Sequence, residues 1–293
     1  MPFYLAHGLV VESPLVLSGL PEADHPADVH VRFEEAAAGN GHPLDTSLSL
    51  GPAECSLSIA DVGVFCVRNG RDVRVRIASK ADEPTLSRFL TGSVMALLLH
   101  QRGLLAIHAS CVVVDDSAVL FIGEPGLGKS SLAAALHRRG HTVLSDDLTA
   151  ICLSEAVPTV LSCANTIKLY PAIADFLGYN SSSMTLLSQD ERAKVGVCIH
   201  SCLSCKRPAL KRIYTLSRLD TGLDRLSPQQ AFLDLIPNSY PTRLLHPGNV
   251  GHFRLCGQLA GQVPIFRLPT FETLGQLLDT SLAVETHVRE QSL

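Results

Sequence analysis

Residues 123–130 read Gly-Glu-Pro-Gly-Leu-Gly-Lys-Ser and match G-x-x-x-x-G-K-[ST] at every fixed position. Residue types at this spacing can cradle a polyphosphate. Gly123, Gly126 and Gly128 permit positive φ, so that main-chain N–H groups turn inward. Lys129 supplies a point charge for β- and γ-phosphates, and the Ser130 hydroxyl suits Mg²⁺. We take Gly123, Gly126, Leu127, Gly128, Lys129, Ser130 and Ser131 as the candidate nucleotide-binding residues. Asp146 and Asp147 follow, the second of them eighteen residues beyond Lys129. One of the two could order the metal, with Ser130 and Asp146 as the candidate ligands. The other could accept a proton from an attacking hydroxyl. Either Asp could be the base on this reading. The plainer alternative is a pair that ends a strand and caps a turn. His108, twenty-one residues before Lys129, reaches the acid pair only if the chain folds back on itself.

The elements needed to position these groups are legible around them. Ala118–Ile122 is an apolar run of strand length, and Ser131–Arg139 carries a helical pattern closed by Gly140. The loop therefore joins a strand to a helix N-terminus, whose dipole favours an anion. Cys111–Val114 and the turn Asp115-Asp116-Ser117 predict a hairpin into that strand. Thr142–Ser145 is a strand that ends at the acid pair, which places both carboxylates at the carboxyl end of the strand beside the loop. Leu148–Leu153 and Ile213–Leu216 read as further strands, Gln229–Leu235 and Glu272–Leu282 as helices. Before residue 103, short alternating runs at 9–11, 29–33, 57–59, 64–67 and 73–77 predict a β-rich region. Asn69-Gly70 reads as a hairpin turn and 36–43 as a loop. Glu83–Gln101 changes to helical spacing and ends near Gly103. The expected fold is α/β with a mixed sheet. We divide it into a β-rich N-terminal region, 1–103, and a phosphate-loop domain, 104–293.

At 293 residues, with 46% hydrophobic and 18% charged, the chain can bury a sizeable core. Its net charge of −4 argues against a nucleic-acid surface. The N-terminus carries no basic-plus-apolar signal, and no apolar run reaches membrane-span length, so we expect a cytoplasmic protein that meets ATP and Mg²⁺ there. The nine cysteines do not form a secreted disulfide pattern. Cys198, Cys202 and Cys205 have the spacing of a [4Fe–4S] triad, and with His200 that of a zinc site, but read as three unligated thiols in a loop.

The series His108-Ala-Ser, the hairpin, Gly123–Ser131, Arg139-Gly-His141 and Ser145-Asp-Asp147 resembles the catalytic domain of HPr kinase/phosphorylase in order and interval. That family shares its nucleotide-site fold with phosphoenolpyruvate carboxykinase. Weaker similarity extends over Leu98–Gly103, Lys168–Pro171, Glu191–Lys194 and Pro264–Arg267, towards compact relatives that include lasso-peptide precursor kinases. The resemblance implies that the acid pair supplies the base and the metal-site acid, with His108 supporting it. It also implies a serine of a peptide or small protein as phosphoacceptor. One departure concerns the Glu-x-Arg-Gly metal motif of the family. At that place this chain reads Asn165–Pro171 with no acid, which leaves the second metal ligand and a phosphorylase reaction open and argues against HPr itself as substrate. Lys168, Arg192 and Lys194 are candidate γ-phosphate cations that read more simply as surface charges.

The resulting expectation is an ATP- and Mg-dependent serine kinase. A small-metabolite kinase and a non-catalytic nucleotide-binding regulator are the alternatives, and the oligomeric state stays open, a homo-oligomer included.

Overall fold

The computed structural model describes residues 1–34, 45–161, 166–180, 182, 184–186, 194–199, 207–218, 222–240 and 250–290. The expected loop at 36–43 lies outside them. The alternating runs of the first hundred residues pair as β1 (Phe3–Ala6), β2 (Leu9–Glu12), β3 (Val29–Glu34), β4 (Ser47–Leu50), β5 (Glu54–Ile59), β6 (Gly63–Arg68) and β7 (Asp72–Ile77). They form one mixed sheet in the order β1-β2-β3-β7-β6-β5-β4. The β6–β7 hairpin turns at Asn69 and Gly70, with φ of 52° and 58°. Two successive positive values are what a type I′ turn requires. Val29, Val31, Phe65, Val67, Val73 and Val75 bury one face of the sheet, the half-buried alternation of a one-sided sheet.

That face meets a helical run made of α1 (Glu83–Phe89), a π-helical turn (Leu90–Val94) and α2 (Met95–Gln101). Asp82 caps α1 by accepting the Thr85 N–H. The expected single helix thus keeps its path but widens in the middle. The same core takes in Ala106, Leu148, Ala150, Cys152 and Leu161 from later in the chain.

The remaining elements are β8 (Leu105–Ile107), β9 (Ser110–Val114), β10 (Ser117–Ile122), α3 (Lys129–Arg138), β11 (Thr142–Ser145), β12 (Thr149–Cys152), β13 (Thr159–Leu161), β14 (Thr166–Leu169), α4 (Pro171–Phe176), β15 (Met184–Leu186), β16 (Val195–Cys198), β17 (Leu210–Ser217), α5 (Pro228–Asn238), α6 (Val250–Gln262), β18 (Ile265–Pro269) and α7 (Leu274–Glu290). The central sheet runs β11-β9-β10-β17-β18. β10 is parallel to β17 and antiparallel to β9, and β9 is antiparallel to β11. The fold is mixed α/β.

One expectation needs correcting here. β11 does not lie beside the strand that feeds the loop, because β9 separates them. Asp115 and Asp116, at φ of 45° and 63°, make a two-residue turn that gives the edge of β10 to its sequence neighbour. β10 and β11 consequently point the same way, and the first residue of β9, Ser110, falls between their carboxyl ends. Smaller antiparallel sheets, β13-β12-β8 and β14-β16-β15, flank this edge. Among the described residues no helix is long and apolar enough to cross a membrane.

Candidate active site

β10 ends at Ile122, and the chain turns through 123–128 into α3. Gly128 opens that helix at φ 98°, and no side chain caps it. Its first-turn N–H groups therefore have no side-chain competitor for an anion. Gly128 is also covered: a Cβ there would run into the ring of Phe271. Thr270 Oγ1 donates to the Leu127 carbonyl at 2.8 Å, so the β18–α7 connection is strapped to the loop. Lys129 is buried, and its Nζ donates to the carbonyls of Gly123 (2.7 Å) and Glu124 (3.0 Å). Leu127 packs its side chain into the core beneath the loop.

The acid pair sits where β11 ends. Asp146 Oδ1 accepts from Ser130 Oγ at 2.9 Å and from Ser110 Oγ at 2.6 Å, while Oδ2 accepts the Lys168 N–H at 3.0 Å. Ser110 reaches Asp146 because β9 starts between the ends of β10 and β11. Asp147 takes φ 68°, a left-handed conformation that Asp tolerates better than most residues. Its Oδ2 accepts from Lys168 Nζ at 2.5 Å. His108 follows β8, which pairs with β12 directly after the acid pair, and its Nδ1–H donates to the Asp147 carbonyl at 2.8 Å.

The two carboxyls are driven apart. Burial pushes Asp146 above the usual carboxylate range, and the neighbouring Asp147 charge adds to it, against the pull of its three hydrogen bonds. Burial acts the same way on Asp147, but the Lys168 ammonium outweighs it, with His108 and Lys194 assisting, and holds that carboxyl below its usual range. Asp147 in turn overcomes burial to raise Lys168. Lys168 is therefore not the surface charge its sequence position suggested. β14 carries it into the site because Leu169 and Ile167 face the core. Lys194 lines the cleft with its Nζ 5.6 Å from the centre of the Tyr170 ring.

Two cavities meet at this point. One, of about 400 Å³, lies over the loop, bounded by residues 125–131, Tyr170, Lys194 and 271–274. The other, of about 340 Å³, lies on the opposite side, against His7, residues 18–20 and the π-helical turn. His108, Asp147 and Lys168 line both. Gly126, Leu127, Gly128, Lys129, Ser130 and Ser131 line the first cavity, whereas Gly123 lines neither and Asp146 lines only the second. Asn238, at the end of α5, carries no motif and was invisible in the sequence. Its Oδ1 accepts the Gly123 N–H at 3.1 Å, and its carbonyl accepts the His108 N–H at 2.6 Å. Arg192, His200, Cys202 and Cys205 lie outside the described residues. Cys198 is exposed.

No family model matches the chain. The curated HPr kinase/phosphorylase of Lachnoclostridium phytofermentans is 36% identical over 69 residues, 24% of this chain and 22% of the relative's length. The chain resembles the HPr kinase family. The solved HPr(Ser) kinase/phosphatase of Coxiella burnetii aligns with 64% of this chain and 92% of its own, at 17% identity and a TM-score of 0.35. In this HPr kinase-like chain, the segment after Asn165 offers Asp146 a main-chain N–H and Asp147 an ammonium in place of a further carboxylate.

Proposed function

We propose that the chain is an ATP- and Mg-dependent kinase of the HPr kinase and phosphoenolpyruvate carboxykinase-like type, acting on a serine hydroxyl of a peptide or small protein. The observation that carries this reading is the shared wall. Asp147, His108 and Lys168 separate a phosphate-loop cleft from a second cavity, where an acceptor can meet the γ-phosphate in line. Residues 1–103 would form the far wall of the acceptor side, and 104–293 would carry the transfer.

The residues present suit Mg²⁺. The Ser130 hydroxyl and the Asp146 carboxylate are hard oxygen donors already in contact, and burial leaves Asp146 in need of a counter-charge. Among the described residues no group of three or more His, Cys, Asp or Glu could hold a metal. An ion held by Ser130 and Asp146 would complete its shell with phosphate oxygens and water. When bound, Mg²⁺ would neutralise charge on the β- and γ-phosphates.

The chain's own residues do the rest. The uncapped N-terminus of α3 and Lys129 would hold the polyphosphate. The serine oxygen attacks phosphorus as the bond to the departing nucleoside diphosphate breaks, and the hydroxyl proton passes to Asp147. Lys168 keeps Asp147 ionised so that it can accept, and His108 fixes its main chain. This assigns the base to Asp147, since Asp146 is occupied by Ser110 and Ser130. A low carboxyl pKa is no obstacle, because the hydroxyl becomes strongly acidic as its bond to phosphorus forms, and the proton can then pass to a weak base.

Incubation with labelled ATP and mixed serine peptides, followed by mass spectrometry, tests the proposal; phosphoserine is the expected product, and D147N should form it far more slowly at an unchanged KM for ATP. A second reading, a small-metabolite kinase, draws on the size of the acceptor-side cavity, which also suits a small molecule. Label appearing in a metabolite pool and not in peptides would select it.

A further inference from the structure

The acceptor-side cavity has a charged floor and an arginine on another wall. Asp146, Asp147 and Lys168 form the floor, and Arg88, in the last turn of α1, lines the same cavity. The floor charges are already engaged. Lys168 pairs with Asp147, and Asp146 accepts hydrogen bonds from Ser110, Ser130 and the Lys168 N–H. Arg88 is exposed and belongs to no ion pair among the described residues. The acid at the start of its own helix, Asp82, is turned to the Thr85 N–H.

This arginine is nonetheless held in place. Leu86 and Ser87 are buried beside it, and Ser87 Oγ accepts the Ser18 N–H at 3.2 Å. The Arg88 guanidinium carbon lies 5.6 Å from the centre of the Phe89 ring, and that ring lies 6.1 Å from the buried Phe65 ring of β6. Stacking on an aromatic ring uses the face of a guanidinium and leaves its edge N–H groups open. Those edges are the fork that takes a carboxylate through two parallel hydrogen bonds. A cation without an acid partner, held in the cavity that Asp147 faces, is placed to read a negative charge on whatever enters. The floor carboxylates would repel that charge at close range, so it is favoured on the Arg88 side of the cavity and not against the acid pair.

Resting on the kinase reading above, we propose that Arg88 sets the specificity for the acceptor: the peptide or small protein carries an acidic side chain near its acceptor serine, and that carboxylate pairs with Arg88 while the serine hydroxyl reaches Asp147. The preference belongs to one position relative to the serine, because a single cation reads it.

The test uses the full chain, labelled ATP and synthetic serine peptides in which glutamate is walked through the positions around the serine, each beside its glutamine counterpart. In the unaltered chain, glutamate at one position should lower KM for the peptide about five-fold against glutamine, with kcat little changed. Raising the salt to about 0.5 M should shrink that difference. R88Q should lose the preference, R88K should keep part of it, and R88E should reverse it in favour of lysine at the same position. The reversal is a gain that a misfolded variant could not show. KM for ATP should stay where it was in all three. Equal KM for glutamate and glutamine peptides at every position, or a glutamate preference that survives in R88E, overturns the assignment of Arg88 while the kinase stands. If the chain hydrolyses ATP but phosphorylates no peptide, the kinase reading falls and takes this inference with it.

Discussion

The side-chain oxygen of Asn238 accepts the main-chain N–H of Gly123 across 115 residues of sequence. The Asn238 carbonyl also takes the His108 N–H, and its amide nitrogen donates to the Asp234 carbonyl, which locks the side chain. One residue at the end of α5 thus fixes the entry to the phosphate loop and the histidine beneath the acid pair.

Removing that acceptor leaves a buried N–H unsatisfied at the first loop residue. N238A should lose about 1–3 kcal/mol of stability and weaken ATP binding by a comparable free energy, because the loop is no longer held open. N238D keeps the acceptor for Gly123 but turns a carboxylate oxygen on the Asp234 carbonyl, so it should restore neither. Urea unfolding and calorimetric ATP titration measure the two effects; unaltered stability and affinity in N238A would show that the hydrogen bond does not matter.

The acid pair should separate by role. D147N should lower kcat about 10²–10⁴-fold with little change in KM for ATP, as expected for a lost proton acceptor. D146N should instead raise the Mg²⁺ concentration needed for half-maximal rate, because it removes a carboxylate in contact with Ser130. Steady-state kinetics over ATP and Mg²⁺ decide this, and matching defects in the two variants would defeat the division.

How far these features could be read in advance depended on how local their causes are. The turn from β10 into α3, the β9–β10 hairpin and α3 itself are set by neighbouring residues, so motif and period were enough. The α6 helix and strands β13–β16 went unread, because their short or evenly mixed runs acquire a face only against the rest of the fold. The acid pair was visible as two charges, but the difference between its two carboxyl environments was not. That depends on Ser110, brought in by strand order, and on Lys168, whose strand could be identified only once Ile167 and Leu169 were seen to face the core. The π-helical turn was hidden because its leucine and valine spacing still fits an α-helix.

Gly128 is constrained both by its left-handed φ and by the Phe271 ring above it. G128A should therefore abolish detectable ATP binding. F271A alone should leave the loop intact, and the double variant should recover the part of the loss due to the clash. The part due to backbone strain, about 1–2 kcal/mol for a residue with a Cβ, should remain. Nucleotide titrations of the three variants test it. Simple additivity would mean that Phe271 does not cover the loop in solution.

Two buried histidines should make the fold sensitive to acid. Burial lowers the pKa of His7 to about 4, and burial with the nearby His100 lowers His252 to about 4, against an ordinary value of 6.5. His252 is enclosed, with its Nε2 2.7 Å from the Ser239 hydroxyl. Between these pH values the unfolded chain binds protons that the folded chain refuses. The neutral rings therefore contribute fully above about pH 6.5, and that contribution is lost as pH falls towards 4, by up to roughly 3 kcal/mol for each residue. Asp147, whose pKa is lowered by Lys168, loses stability in the same direction at lower pH. Urea midpoints recorded across this range should fall steadily with acidification, and the slope should flatten in H252N and again in H7N/H252N. A slope identical in all three chains would mean that neither imidazole is held neutral by the fold.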